Sequence, residues 1–247
     1  MRNPGHRVII YAKDARDFQH KIAQVLLNST AARGKGGVGA QLASSLQVEV
    51  RSVDFDTVFK GTPLEEWYYG RYLKLAKRPI LDLCDAMRLA LLYTLGGTYL
   101  DLDIMSLNRM DGLGRAMAAV DEGATEPTHL SFHAKQAPWG GLFFIGNALF
   151  RFPPRDPFIL AVMEELPRRY DPLKWANTGP YLITRVYENR CRAGSDAWEY
   201  ASGGEEDYCK SLTVLEPRAL CPVFMFNNQV LMHRYPPPHM TCILLRI

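Results

Sequence analysis

Residues 82–107 read D-L-C-D-A-M-R-L-A-L-L-Y-T-L-G-G-T-Y-L-D-L-D-I-M-S-L, and few architectures accommodate such a run. Its first half is an apolar helix, opening at Leu81 or Asp82 and carrying Asp85 and Arg88. Gly96-Gly97 ends that helix in a left-handed cap. Residues 98–102 then form a short strand, and two carboxylates, Asp101 and Asp103, sit where it stops. Residues i and i+2 of a strand share a face, so both acids can converge on one ligand. As a bare pair they repel each other at close range. A divalent cation relieves that repulsion, and hard oxygen ligands favour magnesium, manganese or calcium over zinc.

The flanking sequence places this unit inside a larger α/β domain. H-R-V-I-I-Y at 6–11 reads as a buried strand, residues 18–27 as a helix, and residues 46–53 as a second strand. Thr62 is a natural N-cap with Pro63 in the first turn, so a helix is expected from 63 to about 76. From Met105 to Leu130 the pattern loosens. L-F-F-I-G-N-A-L-F-R-F at 142–152 predicts two short strands around Gly146-Asn147. A helix over 158–169 should be interrupted near Pro167, Gly179-Pro180 should open another reaching 187, and 212–215 should be a strand. Beyond Phe226 no pattern is visible. Strands alternating with helices predict a mostly parallel central sheet flanked by helices. Ligands of such sheets lie beyond the carboxyl ends of strands, where the acid pair falls.

Composition removes several classes of function. A formal charge of +3 over 247 residues does not argue for a nucleic-acid partner. Arg71, Lys74, Lys77 and Arg78 are locally dense but read as a solvated helix face. No run of 18 uncharged apolar residues exists, so the chain contains no transmembrane segment, and its N-terminal apolar core is too short for a secretory signal. The five cysteines form no C-x-x-C and the six histidines are scattered, which argues against structural zinc. R-G-K-G-G-V-G-A at 33–40 only superficially mimics a phosphate loop, because Ala40 and Gln41 stand where it should close with lysine and Ser/Thr.

Taken alone, a D-x-D more often solvates a strand end or caps a turn than binds a ligand. Asp85 and Arg88, at i and i+3, read on their own as a surface ion pair worth at most about 0.5 kcal/mol. The complete pattern D-x-x-R-x-x-x-L-x-x-x-G-G-x-Y-x-D-x-D is far more specific. With it, the chain resembles the DXD-containing α-1,4-glycosyltransferase family (glycosyltransferase family 32), which includes lactosylceramide 4-α-galactosyltransferase and α-1,4-N-acetylglucosaminyltransferase. V-D-F-D-T-V-F-K-G-T-P-L-E-E-W-Y at 53–68, G-N-A-L-F-R-F at 146–152, G-P-Y-L-I-T-R-V at 179–186 and T-V-L-E-P-R-A-L-C-P at 213–222 extend the resemblance in the family's order.

The resemblance implies a GT-A-like nucleotide-sugar transferase fold over residues 1–225, with 226–247 a divergent or truncated tail. It implies a retaining hexosyltransferase that takes galactose or N-acetylglucosamine from a UDP-sugar donor to a glycolipid or glycan acceptor, with Mn2+ or Mg2+. By resemblance Asp103 binds the metal directly, while Asp101 contacts the ribose and reaches the metal. Asp85, Arg88 and Tyr99 border the donor, although Tyr99 also reads as core, and Asn147 lies near the acceptor side of the donor sugar. Asn177 and Thr178 are smaller than the His-Gln of many relatives. Relatives carry a cysteine pair where Cys191 and Cys209 fall, and a disulfide there would suit a Golgi or secretory lumen. Full-length relatives begin with a membrane anchor, and both ends of this chain look clipped beside them; His233 and His239 do not replace the family's C-terminal histidine. Two other readings remain open: a catalytically silent relative that binds nucleotide-sugar, and a HAD-type phosphotransferase, against which Met105 and the late position of the motif both argue.

Overall fold

The structure, a computed structural model, describes residues 7–21, 24, 48–101, 104, 110, 112–121, 135–136, 142–174, 177–191, 207–215 and 242–246. Among these, eight strands build one mixed sheet: β1 (Arg7–Ala12), β2 (Val48–Ser52), β3 (Gly97–Asp101), β4 (Arg115–Asp121), β5 (Lys135–Gln136), β6 (Leu142–Phe152), β7 (Leu212–Leu215) and β8 (Cys242–Arg246). Their order is β2-β1-β8-β3-β6-β4-β7, with β5 paired to β6. Six of the eight described strands run in one direction, as expected. The other two, β8 and β6, lie between them, so five of the seven described pairings are antiparallel.

Three sheet elements depart from expectation. Residues 142–152 form one strand instead of two, with Gly146-Asn147 inside it, and the irregularity is taken up by a register shift in β4 between Met117 and Ala119. The strand β4 falls in a stretch where a loose chain was expected, because R-A-M-A-A-V-D lacks a β-branched run. Its alanines, Ala116, Ala118 and Ala119, are almost fully buried between β6 and β7. The patternless region after Phe226 contains β8, which sits centrally between β1 and β3.

Alternation along the strands separates two cores. Tyr99, Met117, Ile145, Phe150 and Phe152 join the large cluster under the helices, whereas Leu100, Ala118 and Leu149 form a smaller one with Met110. Cross-strand partners agree: Tyr99 faces Phe150 and Leu100 faces Leu149. Each fully buried side chain of this size stabilises by about 1.5–3 kcal/mol.

Six labelled helices accompany the sheet: α1 (Phe55–Phe59), α2 (Glu65–Tyr69), α3 (Arg71–Lys74), α4 (Pro79–Leu95), α5 (Pro157–Arg169) and α6 (Pro180–Cys191). Residues 15–21 and 24 are also helical, so the helix expected over 18–27 begins three residues earlier; the rest of that range lies outside the described residues, as do 33–40, His233 and His239. The helix expected over 63–76 is two short ones. Gly70 breaks it with an extended backbone, and a Cβ there would lie 3.1 Å from the carbonyl oxygens of Glu66 and Trp67. Thr62 is not its N-cap: the first helix starts at Glu65 with Leu64 in the cap position and no side-chain cap, and the Thr62 hydroxyl accepts from the Leu64 N–H at 3.2 Å in the preceding turn. Pro167 does not interrupt α5, which runs through it to Arg169.

The central helix α4 is apolar on most sides, because it packs against β3, β6, β8 and α5 at once. Gly96 ends it at φ 65° and ψ −173°, a conformation essentially reserved for glycine and different from the ordinary left-handed cap. A Cβ there would also meet Pro154 Cδ at 2.6 Å. The turn therefore fixes how β3 leaves α4, and with it where Asp101 arrives.

Candidate active site

Asp85 and Arg88 occupy the face of α4 turned toward the carboxyl end of β3, and the arginine is the centre of the site. Its side chain is only 8% exposed. One guanidinium nitrogen donates to Asp85 Oδ1 at 2.7 Å. The other donates to Asp101 Oδ1 at 3.1 Å and to the main-chain oxygen of Asn147. The guanidinium carbon stands 4.7 Å above the Tyr99 ring, a cation–π contact. Four residues from three elements, α4, β3 and β6, thus meet on one cation.

Asp101 ends β3 on the same face as Tyr99, whose hydroxyl donates to Asp101 Oδ1. Arg88 and Tyr99 therefore load the same oxygen. Oδ2 carries no hydrogen bond among the described residues, and the side chain is 33% exposed. A hard oxygen that is oriented from behind and open in front fits a divalent cation or a ribose hydroxyl. Asp103 lies outside the described residues.

Asp85 holds the ring of elements together. Its Oδ1 also accepts from Asn147 Nδ2 at 2.7 Å, and its Oδ2 accepts from the Thr178 hydroxyl at 3.1 Å. That hydroxyl is shared with Asp82 Oδ1 at 3.2 Å, and the Tyr170 hydroxyl donates to Asp82 Oδ2 at 2.6 Å. Burial pushes the Asp85 carboxyl above its ordinary range, against the opposing charge of Arg88. Burial likewise raises Asp82, against the hydroxyls of Tyr170 and Thr178, and raises the Tyr170 phenol. Gly179 is the closest approach in this network. A Cβ there would lie 2.5 Å from Asn147 Nδ2 and 2.7 Å from Asp85 Oδ2.

Asp85, Arg88, Tyr99, Asp101 and Asn147 are accordingly brought together. The Asp85–Arg88 pair is buried, so its reading as a surface ion pair does not hold. Tyr99 is 1% exposed, packs in the large core, and donates its hydroxyl to Asp101. Asn147 sits in a strand, not a turn. Three residues were not singled out for this network: Asp82, Tyr170 and Thr178. Asp82 had a signal, since it precedes Asp85 by three residues on the same helix face. Tyr170 had none, and Thr178 was named only for its place before Gly179-Pro180, because both reach Asp82 from 88 and 96 residues further along the chain. The cysteines read from the resemblance are bonded: Cys191 and Cys209 form a disulfide with Cα atoms 5.4 Å apart.

Two family models match the chain. Residues 3–119 match the glycosyltransferase sugar-binding region containing the DXD motif, and residues 151–237 match the α-1,4-glycosyltransferase conserved region. Among curated proteins, the human lactosylceramide 4-α-galactosyltransferase is 26% identical over 176 residues, 71% of this chain and 42% of that protein. The Pongo pygmaeus protein of the same name is also 26% identical, over 68% of its length. The human α-1,4-N-acetylglucosaminyltransferase is 27% identical over 69% of this chain and 43% of its own length. The chain thus spans less than half of the two human relatives. Among solved structures, the PaToxG glycosyltransferase superposes with a TM-score of 0.40 at 15% identity, over 59% of this chain and 48% of that one. The chain is similar to the DXD-containing α-1,4-glycosyltransferases over these segments.

Proposed function

We propose that this chain is the catalytic part of a retaining hexosyltransferase that moves galactose or N-acetylglucosamine from a UDP-sugar to a glycolipid or glycan acceptor in the secretory pathway. The observation that carries the reading is the convergence of Arg88, Asp85, Asn147 and Asp101 at the carboxyl end of β3. In a mixed α/β sheet that edge is where ligands sit.

The proposed roles follow from the geometry. Asp101 and Asp103 would hold a divalent cation, Mn2+ or Mg2+, which when bound supplies positive charge to a departing diphosphate. Arg88 and Tyr99 act as positioning groups, fixing Asp101 through Oδ1 so that its outer oxygen needs little reorganisation when the donor binds. Asp85 fixes Arg88 and the Asn147 carboxamide together, which sets the wall of the sugar site. Thr178, just before α6, borders this wall, and with Asn177, whose amide donates to the Arg169 carbonyl, it would bear on acceptor choice, the pair being smaller than the His-Gln of many relatives.

The test is UDP release from a panel of UDP-hexoses, with and without a galactose-terminated acceptor, in Mn2+ and in chelator. Metal-dependent release from one donor, reduced about 100-fold or more in Asp103→Asn and Asp101→Asn, is expected from the loss of a charged group at the reaction centre. Binding of UDP-sugar without release from any donor would instead identify a silent relative. An aspartyl-phosphate intermediate would overturn the transferase reading in favour of a phosphotransferase.

A further inference from the structure

From Trp67 to Leu81 the chain contains no acid and four bases, Arg71, Lys74, Lys77 and Arg78. All four are exposed. Between them stand Tyr72 at 51% exposure, Leu75 at 62%, Ile80 at 54% and Leu81 at 40%. Leu173, 62% exposed, joins them, because the Lys77 N–H donates to the Pro172 carbonyl at 3.1 Å and holds the two segments side by side. Scattered exposed hydrophobics need no account, but these are five of the six large ones among the described residues, gathered on the α3–α4 connection. Lys74, Lys77 and Arg78 make no ion pair among the described residues, while Arg71 donates to the Tyr72 hydroxyl at 3.3 Å and stacks on its ring. The nearest acids lie outside or beneath the patch: Glu66 precedes it, Asp171 pairs with Lys174 at 3.5 Å, and Asp82 is buried.

We propose that this face is a docking surface for an anionic lipid bilayer. The tyrosine and aliphatic tips would enter the headgroup region, and the four bases would face lipid phosphates, the combination that makes interfacial binding both area- and charge-dependent. Charge complementarity selects this occupant. A second copy of the chain would set two like-charged patches against each other. A nucleic acid would use the bases but leave the aliphatic tips idle, since they offer no ring for base stacking. Asp85 lies only four and five residues beyond Leu81 and Ile80 on α4, about 6–8 Å along the axis. A bilayer on this face would therefore stand beside the candidate site. The inference rests on the surface alone and does not depend on which reaction the site performs.

The test is co-sedimentation of the 247-residue chain, without donor or metal, with phosphatidylcholine vesicles and with the same vesicles doped with phosphatidylserine. Binding to the doped vesicles that weakens with added salt is expected. Lys74→Glu with Lys77→Glu should weaken it at least about tenfold, given the usual contribution of each base near an anionic surface. Leu75→Ser with Ile80→Ser should weaken it also at low salt, and both variants should melt like the wild type, because every substituted side chain is exposed. No binding to doped vesicles, or binding unchanged in both variants, overturns the proposal. So does a wild-type dimer on gel filtration that the serine variant dissolves.

Discussion

Asp82 receives two hydroxyls, from Tyr170 and Thr178, yet burial still raises its carboxyl above the ordinary range. A raised acid binds its proton more tightly in the folded chain than in the unfolded one. Its contribution to stability is fully present below the unfolded value of about 3.9 and is lost as pH rises through the folded value. Asp82→Asn should therefore flatten the decline in urea midpoint between pH 4 and neutrality, while changing stability at pH 4 by less than about 1.5 kcal/mol. Equal slopes in wild type and variant would refute this. Asp85 is raised by burial too and adds to the wild-type slope, but Arg88 opposes the shift there. Removing Asp85 would take the closer carboxylate partner from the buried Arg88, whereas removing the Asp82 charge takes a partner from no cation, so Asp82 isolates the proton linkage.

At the scale of elements, single residues decide where chains turn. Asp156 caps α5 by accepting from the Phe158 N–H at 2.9 Å, and the same carboxylate takes two bonds from Arg115 of β4, at 2.6 and 2.9 Å. Arg115 continues to Ser211 and to the Tyr208 carbonyl, so one buried ion pair ties the start of α5, the start of β4 and the approach to β7. Asp156→Ala should cost about 3–5 kcal/mol, as it removes the cap and leaves the arginine charge uncompensated. Asp156→Asn keeps the cap and should cost measurably less. Chemical denaturation of the three proteins checks the order, and equal losses for the two variants would mean that the ion pair with Arg115 alone matters. The alanine-rich β4 shows the limit of local reading. Its residues carry weak strand preference, and they form a strand because the backbone pairs with β6 on one side and β7 on the other.

For the molecule as a whole, the Cys191–Cys209 disulfide joins the end of α6 to the turn that precedes β7. Closing a loop of 18 residues restricts the unfolded chain by about 3 kcal/mol. Reduction, or Cys209→Ser, should lower the unfolding free energy by about that amount, read from urea midpoints with and without reductant. An unchanged midpoint would show that the packing of α6 on β6 and α5 already holds this corner.

What the sequence by itself determined was local. The spacing of Asp85, Arg88, Tyr99 and Asp101 around a Gly-Gly turn put these residues on one helix face and one strand face, and the periodicity of helix and strand needs no partner to do so. Thr62, Gly96 and Pro180 were readable as punctuation for the same reason. Tertiary structure decided the rest. Tyr170 and Thr178 reach Asp82 across 88 and 96 residues, and Asn147 reaches Asp85 across 62. The insertion of β8 between β1 and β3 is likewise a matter of which edges remain unpaired once the other strands are in place. Such contacts form because buried polar groups must find partners and sheet edges must be covered, and both requirements are met by whatever the fold brings near.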